Sequence, residues 1–470
     1  MAYMNKNNLL LKYILYDMLA ALSVWVAFVI FRKTINDIPI LNGFRILIPN
    51  YNYITSLMAF PFYCVFIHYL SGFYLNTLKK SRINLILSTL TSSAIISVSV
   101  FFVLKLGDVV VSYEYFYFSL LVLFGLQMAF TMIFRNVIFS QIQNNYKTKK
   151  WTINTLIVGT GSNALKIATD IEKYAPQNTI IGFVSTSKKY DVPAEKIFGN
   201  ISQIAGLIEK HDIRETIVAL DNDADEKELF KIINLLYRLN VDIQFTPRLY
   251  EILTGSAKIN RLQMSPLVNI TSSSMSDWEA SLKRFFDIIL SFVALLILSP
   301  FLLYFVIRIR KDSKGPAFYR QERIGRYGKP FDIIKFRTMF LGSENGTPKL
   351  SSPNDDRITH FGKFLRKYRI DEIPQFWNIL RGDMSLVGPR PERRYYINRI
   401  IEDAPYYCLL YKIRPGLTSW GPIKIGYSDT IEKMIERLNY DIIYMDNMSL
   451  LTDVKILIYT FEIIFKGKGM

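Results

Sequence analysis

Four long apolar stretches open the chain, at about 9–31, 52–70, 83–104 and 114–140. Each approaches the ~20 residues a helix needs to cross bilayer hydrocarbon, which predicts a four-helix transmembrane bundle over 1–146. Lys79, Lys80 and Arg82 lie in the second connection, Lys147, Lys149 and Lys150 follow the fourth stretch, and Lys6 and Lys12 precede or open the first. Basic residues accumulate on the cytoplasmic side of spans, so these segments are expected inside. Arg32, Lys33 and Arg45 run against that bias. Four crossings return the chain to the cytoplasm.

The pattern then changes. Over 151–265 short β-branched runs ("TINTLIVG", "IIGFVS", "ETIVAL", "VDIQFTP") alternate with helical segments ("TGSNALKIATDIEKY", "QIAGLIEKH", "EKELFKIINLLYRLN"). Strands alternating with helices predict a Rossmann-like, doubly wound α/β domain. Its first turn carries Gly159, Thr160 and Gly161, with Ala164 as the third small residue and no acid clearly ending the second strand. That is part of a dinucleotide fingerprint. Two readings stay open: a nucleotide site, or a structural domain whose glycines serve a tight turn.

Residues 266–281 read as a linker, and 282–311 as a long apolar helix bounded by Lys283 and Arg284 before and Arg308, Arg310 and Lys311 after. Pro300 interrupts it, and the Ser299 hydroxyl can satisfy the carbonyl that proline frees. A fifth crossing would place 312–470 outside the cell, away from cytosolic metabolites. A kinked helix that enters and leaves by one face keeps it inside; a straight fifth span is the alternative. Residues 312–470 form the last region, rich in Arg, Lys and aromatics, with a Gly/Ser/Asn/Pro-rich loop at 341–356 as a candidate lid. Aromatics interleaved with lysines predict a domain lying on the membrane surface.

Composition fits this order. The 470 residues allow two to four domains, half are apolar, and 14% are aromatic. The net charge of +17 calls for an anionic partner. No segment reads as a nucleic-acid module, so membrane headgroups and phosphorylated substrates are the expected partners. Cys64 lies in an apolar segment and Cys408 far away, which argues against a structural disulfide. His68, His211 and His360 are too dispersed to predict a metal site. The first apolar run is long and lacks a small-residue cleavage site, unlike a signal peptide.

The densest chemistry lies in "RIDEIPQFWNILRGDMSLVGPRPERR", 369–394. Asp371 and Glu372 are adjacent, with Arg366, Lys367 and Arg369 before them and Arg381, Arg390, Arg393 and Arg394 after. Neighbouring carboxylates favour each other's protonation unless cations intervene. Arginines grip phosphate bidentately, and Mg²⁺ commonly bridges one or two carboxylates to substrate phosphates. An aspartate can itself attack phosphorus. The pattern therefore suits phosphoryl chemistry, against the plainer alternative of a capped helix with solvated ion pairs. Pro374 fits the first turn of a helix through "QFWNIL".

Residues 281–470 resemble the bacterial sugar transferases, or monotopic phosphoglycosyl transferases. The likeness rests on "KRFFDIILSFVALLILSP", "KFRTM", "ITHFGKFLRKYRIDEIPQFWNILRGDMSLVGPRPE" and "KIRPGLTSWG". With four spans and a Rossmann-like middle, the chain is similar to the large subclass, the polyprenyl-phosphate hexose-1-phosphate transferases. The resemblance implies a multi-domain membrane protein whose α-rich α+β catalytic domain carries a re-entrant helix kinked at Ser299 and Pro300. It implies transfer of sugar-1-phosphate from a UDP-hexose to undecaprenyl phosphate with release of UMP, starting exopolysaccharide, capsule or O-antigen assembly. It implies Asp371 as nucleophile forming a covalent phosphosugar, Glu372 as Mg²⁺ ligand, and Lys335, Arg337, Arg366 and Arg390 on the donor or lipid phosphates or uridine. Asp441 and Asp453 match late acids of the family. The expected place is the bacterial inner membrane, multi-pass, with the catalytic domain on the cytoplasmic face. Ile373 and Ser419 depart from the family's commoner Leu and Gly. A nucleotide-sugar dehydratase or epimerase would need a full fingerprint and a Tyr-x-x-x-Lys pair, which 151–265 lacks. A non-catalytic assembly scaffold would tolerate loss of the acid pair, which is present. Homodimerisation through the spans or middle domain stays open.

Overall fold

The computed structural model describes residues 6–35, 51–75, 77, 80–107, 113–186, 191–221, 225–239, 241–246, 267–269, 275–343, 355–426 and 430–465. The chain divides into two units, Met1–Thr152 with Ser276–Leu282, and Ile153–Met275 with Lys283–Met470.

In the first unit, α1 (Lys6–Ile35), α2 (Tyr51–Leu70), α3 (Arg82–Gly107) and α4 (Tyr113–Lys147) follow the four apolar stretches. Stretches at 8–32, 82–103 and 117–147 are long and apolar enough to cross a membrane; the apolar part of α2, 55–70, is shorter. Trp25, Phe28, Phe60, Cys64, Ile96 and Leu123 pack between the helices. One charge pair is sealed among them. Arg135 is fully buried, and its Nε and Nη2 each reach Asp17 at 2.8 Å. Thr89 Oγ1 accepts from Arg135 at 2.9 Å, and the guanidinium lies 3.4 Å over the Phe73 ring. Charges at membrane depth persist when paired and turned to the bundle interior, as here.

The second unit opens with a six-stranded sheet of order β3-β2-β1-β4-β5-β6. Its strands are β1 (Ile153–Val158), β2 (Asn178–Ser185), β3 (Ile197–Asn200), β4 (Glu215–Val218), β5 (Asp242–Phe245) and β6 (Val268–Asn269). All pairings are parallel except β5 with β6. The buried runs of β1 and β4 explain their near-continuous apolar sequences, because helices cover both faces of a parallel sheet. The helices are α5 (Ser162–Tyr174), α6 (Ile204–Lys210) and α7 (Glu226–Tyr237). The segment read as a linker is not all linker: β6 extends the sheet, and a helix begins at Asp277 rather than 282. Ser276 explains the early start, since its backbone N–H and its hydroxyl both donate to Glu279 Oε2. Residues 270–274 lie outside the described residues, as do 247–266 and most of the 341–356 loop.

Helix α8 (Asp277–Asp312) is a single 36-residue helix with Pro300 inside it. Pro300 cannot donate to Leu296 O, and Ser299 Oγ donates to that carbonyl at 2.8 Å instead. Both ends of the part within this unit are bolted to the following domain. At the start, Lys283 pairs with Asp453 and donates to Val387 O at 2.9 Å, and Arg284 donates to Ile379 O and Leu380 O. At the end, Asp312 accepts from the Phe361 N–H at 3.2 Å, and Ile309 packs with Phe336 and Leu365. Between them the helix exposes Phe292, Leu296, Ile297, Phe301 and Leu303.

That domain comprises the hairpin β7 (Phe318–Ile324) and β8 (Pro330–Phe336), α9 (His360–Lys367), α10 (Gln375–Arg381), β9 (Ser385–Val387), α11 (Arg394–Asp403), a 3₁₀ run Pro405–Lys412, β10 (Gly416–Thr418), α12 (Trp420–Ile425), α13 (Ile431–Asp446) and α14 (Leu450–Phe465). β9 and β10 pair in parallel.

Candidate active site

Asp371 and Glu372 sit in a one-turn 3₁₀ segment, Ile370–Glu372, between α9 and α10. Local sequence fixes that turn from both sides. Thr359 caps α9 by accepting from the Gly362 N–H at 3.0 Å. Gly362 is required there, because a Cβ would collide with the Thr338 backbone as α9 crosses it. On the other side, buried Asn378 stitches α10 to β8: its Oδ1 accepts from Ile334 N at 3.0 Å and its Nδ2 donates to Asp332 O at 2.7 Å. This stitch brings Lys335 of β8 against the acid pair.

Both acids are 8% exposed. Glu372 is enclosed by cations: Lys335 Nζ lies 2.7 Å from Oε1, Arg390 Nη2 3.7 Å from the same oxygen, and Arg369 Nη1 3.6 Å from Oε2. Burial works to raise its pKa, and the charges of Lys335, Arg390 and Arg369 more than offset that, holding it below the ordinary value. Asp371 goes the other way. Burial lifts its carboxyl to about 6, Lys335 and Arg366 draw it back only in part, and the Glu372 charge adds to the rise. The adjacent acids are thus pushed in opposite directions, Glu372 toward its anion by the cations around it and Asp371 toward its acid form by burial.

Arg369 is the third cation on Glu372. Its backbone is left-handed, φ 54° and ψ 24°, uncommon for a residue with a side chain. That turn reverses the chain out of α9 and delivers its guanidinium to Glu372. A cleft is lined by Arg369, Arg390, Leu417, Thr418, Ser419, Ile423, Thr460 and Ile463. Its lining combines two arginines with hydroxyl and apolar side chains.

The remaining expected site residues divide. Lys335 and Arg390 meet at Glu372, and Arg366 stands near Asp371 with its Nε donating to Thr338 Oγ1 at 2.8 Å. Arg337 is elsewhere. It is buried, donating to Lys314 O at 3.0 Å and to Ser313 O and Oγ at 2.6 and 2.9 Å, so it ties down the chain leaving α8. Asp453 is engaged with Lys283 and accepts from Tyr444 OH at 2.6 Å. Asp441 accepts from Ser419 Oγ, from Gly421 N at 3.2 Å and from Arg390 N at 3.4 Å, which joins the Ser419 turn to the Arg390 backbone. Each of these three organises the site from outside the acid pair. Glu392 is a further buried organiser, paired with Arg437 and, at 3.3 Å, with Arg323. Burial opposes its ionisation, but Arg437 and Arg323 hold its pKa low, and it anchors the loop that presents Arg390. Its position two residues after Arg390 in a quoted motif was the available signal.

Among the described residues no cluster of three metal-binding side chains occurs. The donor set is the acid pair alone, which fits a hard cation completing its shell with substrate phosphate oxygens, as Mg²⁺ does. It does not fit a metal held wholly by protein.

Residues 278–467 match the bacterial sugar transferase family, and residues 70–247 match a family described as a CoA-binding domain. The chain is 35% identical over 230 residues, 49% of its length and 54% of the relative's, to the UDP-N-acetylgalactosamine-undecaprenyl-phosphate N-acetylgalactosaminephosphotransferase of Aeromonas hydrophila. It is 40% identical over 184 residues, 38% of its length and 67% of the relative's, to the UDP-glucose:undecaprenyl-phosphate glucose-1-phosphate transferase of Caulobacter vibrioides. It is 32% identical over 351 residues, 67% of its length and 70% of the relative's, to an uncharacterized sugar transferase of Haemophilus influenzae. With its long apolar helices and these matches, the chain is a membrane protein that belongs to the bacterial sugar transferase family. It spans 54–60% of the length of four of the curated relatives it matches.

Proposed function

We propose that the chain transfers sugar-1-phosphate from a UDP-hexose to undecaprenyl phosphate, releasing UMP, as the first step of a surface polysaccharide. The observation that carries this reading is the geometry of the acid pair: Asp371 and Glu372 are both buried, and Lys335, Arg369 and Arg390 converge on the Glu372 carboxylate at 2.7, 3.6 and 3.7 Å. In the first step an ionised Asp371 oxygen attacks the donor's β-phosphorus. A P–O bond forms to the carboxylate, and the bond from that phosphorus to the bridging oxygen breaks, so UMP leaves with the electron pair. In the second step a phosphate oxygen of the lipid attacks the same phosphorus, and the bond to Asp371 breaks, restoring the carboxylate. Arg390, Arg369 and Lys335 neutralise the phosphate oxygens. Glu372 would hold Mg²⁺, which supplies charge neutralisation on the donor diphosphate when bound. The cleft's mixed lining, Arg369 and Arg390 together with Leu417, Ile423 and Ile463, fits a phosphate carrying a hydrocarbon chain.

The same reading places the catalytic domain on the cytoplasmic face of the bacterial inner membrane, with α8 re-entrant. Two features support that placement. Both ends of α8 from Lys283 onward are gripped by one domain, which a helix crossing from face to face would prevent. In addition, α14 exposes Leu451, Val454, Ile458 and Phe461, spaced as one apolar helix face beside the cleft.

The test is UMP release by the purified chain in lipid nanodiscs with Mg²⁺, undecaprenyl phosphate and one UDP-sugar at a time. Omitting the lipid while using sugar-labelled donor should leave label on the wild-type protein and none on Asp371→Asn. Release by the variant at the wild-type rate removes Asp371 as nucleophile. No release with UDP-glucose, UDP-galactose or UDP-N-acetylgalactosamine removes these donors.

A further inference from the structure

The match to a CoA-binding family and the glycines after β1 point to a phosphate-bearing ligand in the middle domain. The residues present do not fit one. In a doubly wound sheet such a ligand sits beyond the carboxyl end of β1, beside β4, with its diphosphate on the first amides of the following helix. Here the chain itself occupies that place. The Asp221 carboxylate, three residues past β4, lies against Gly161, where a Cβ would collide with it. Asp221 Oδ1 accepts from the Asn163 N–H in the first turn of α5 at 3.3 Å, and Asn163 Nδ2 donates back to Leu220 O at 3.0 Å. Gly159, φ 128°, is likewise explained by the chain: a Cβ there would strike Ala219 O at the end of β4. Both glycines make room for the chain itself, and the Asp221 carboxylate takes the Asn163 amide that a diphosphate would need.

The domain has another occupation. The apolar face of α7 continues into the catalytic part: Leu229, Ile233 and Tyr237 belong to the same buried cluster as Ile400, Tyr407 and Leu438. Asn234 Nδ2 donates to Pro405 O at 2.7 Å, and the Tyr237 ring meets Tyr411 edge-on at 5.9 Å.

We infer that the middle domain binds no diphosphate at its β1–α5 turn, which Asp221 fills, and that it acts as a packing partner completing the catalytic domain's core. The full chain in nanodiscs, titrated with CoA and with NAD⁺ to 1 mM, is expected to show no saturable binding and no thermal shift. Saturable binding of either ligand by the wild type, weakened in Gly161→Val or not, overturns the first half. For the second half, Tyr237→Ala is expected to speed amide exchange more than tenfold in both β4 and α13, with Asn234→Ala, the milder change, giving a smaller shift in the same two places. Faster exchange in β4 with α13 unmoved in both variants overturns it.

Discussion

Replacing Asp371 by asparagine should stabilise the protein while abolishing its proposed chemistry, and the stabilisation should depend on pH in one direction. Burial raises the folded-state pKa of Asp371 from the ordinary 3.8 to about 6. A raised folded pKa means the folded chain holds this proton more tightly than the unfolded chain. The stability this lends is complete below the unfolded value and is lost as pH rises through the folded one. The interval is about 2 pKa units, and each unit is worth ~1.36 kcal/mol, so ionised Asp371 weakens the fold by at most about 3 kcal/mol at pH 7 relative to pH 3.8. Asparagine keeps the shape and carries no such term. The assay is the thermal midpoint of wild type and Asp371→Asn in nanodiscs, without Mg²⁺ or donor, at intervals from pH 4.5 to 8. The variant's advantage should widen from about pH 4.5 to about 6.5 and level off above, by several degrees at 2–4 °C per kcal/mol for a domain of this size. A difference that stays flat, or narrows as pH rises, would refute the burial argument and return Asp371 to an ordinary surface-like carboxylate.

Three further outcomes follow from the geometry. The acid limb of kcat/KM for UMP release should fall near pH 6, since attack needs ionised Asp371; a limb near pH 4 contradicts the assignment. Lys335→Ala should cut the rate by roughly 100-fold or more and move that limb to higher pH, because Lys335 is the strongest cationic influence on both acids, whereas Asp453→Asn should lower the thermal midpoint and leave the limb in place. A cysteine at exposed Lys314, in a chain with Cys64 and Cys408 replaced, should react with an impermeant maleimide only after cells are permeabilised; labelling from outside would make α8 a full crossing.

The elements that came through in the sequence are those where one face or one length dominates. The apolar stretches fixed α1 to α4 by length, and the buried runs "INTLIV" and "ETIV" marked strands covered on both sides. β3, "IFGN", was missed because two of its four residues are exposed and only an edge pairing defines it. β6 was missed because two residues in a polar stretch carry no pattern. The acid pair was legible because adjacent carboxylates among arginines need a reason. What motif resemblance could not supply was the direction of each side chain. Arg337, Asp441 and Asp453 look alike in the sequence as charges matching the family's pattern, yet packing sends Arg337 to the end of α8, Asp453 to its start and Asp441 to the Ser419 turn. The Ser419 departure also gains a reason: its hydroxyl fills an acceptor position on buried Asp441 that glycine would leave to the backbone alone.

The left-handed backbone at Arg369 has an evolutionary corollary. Glycine adopts φ 54° freely, whereas arginine carries a conformational penalty on the order of 1 kcal/mol there. Stability alone would therefore drift this position toward glycine, and each step of that drift would remove one of the three cations around Glu372. An arginine at a glycine-shaped turn is expected where its charge outweighs the strain. Among chains sharing this turn, those with glycine in place of Arg369 should be the more stable ones and should lack one of the three cations around Glu372.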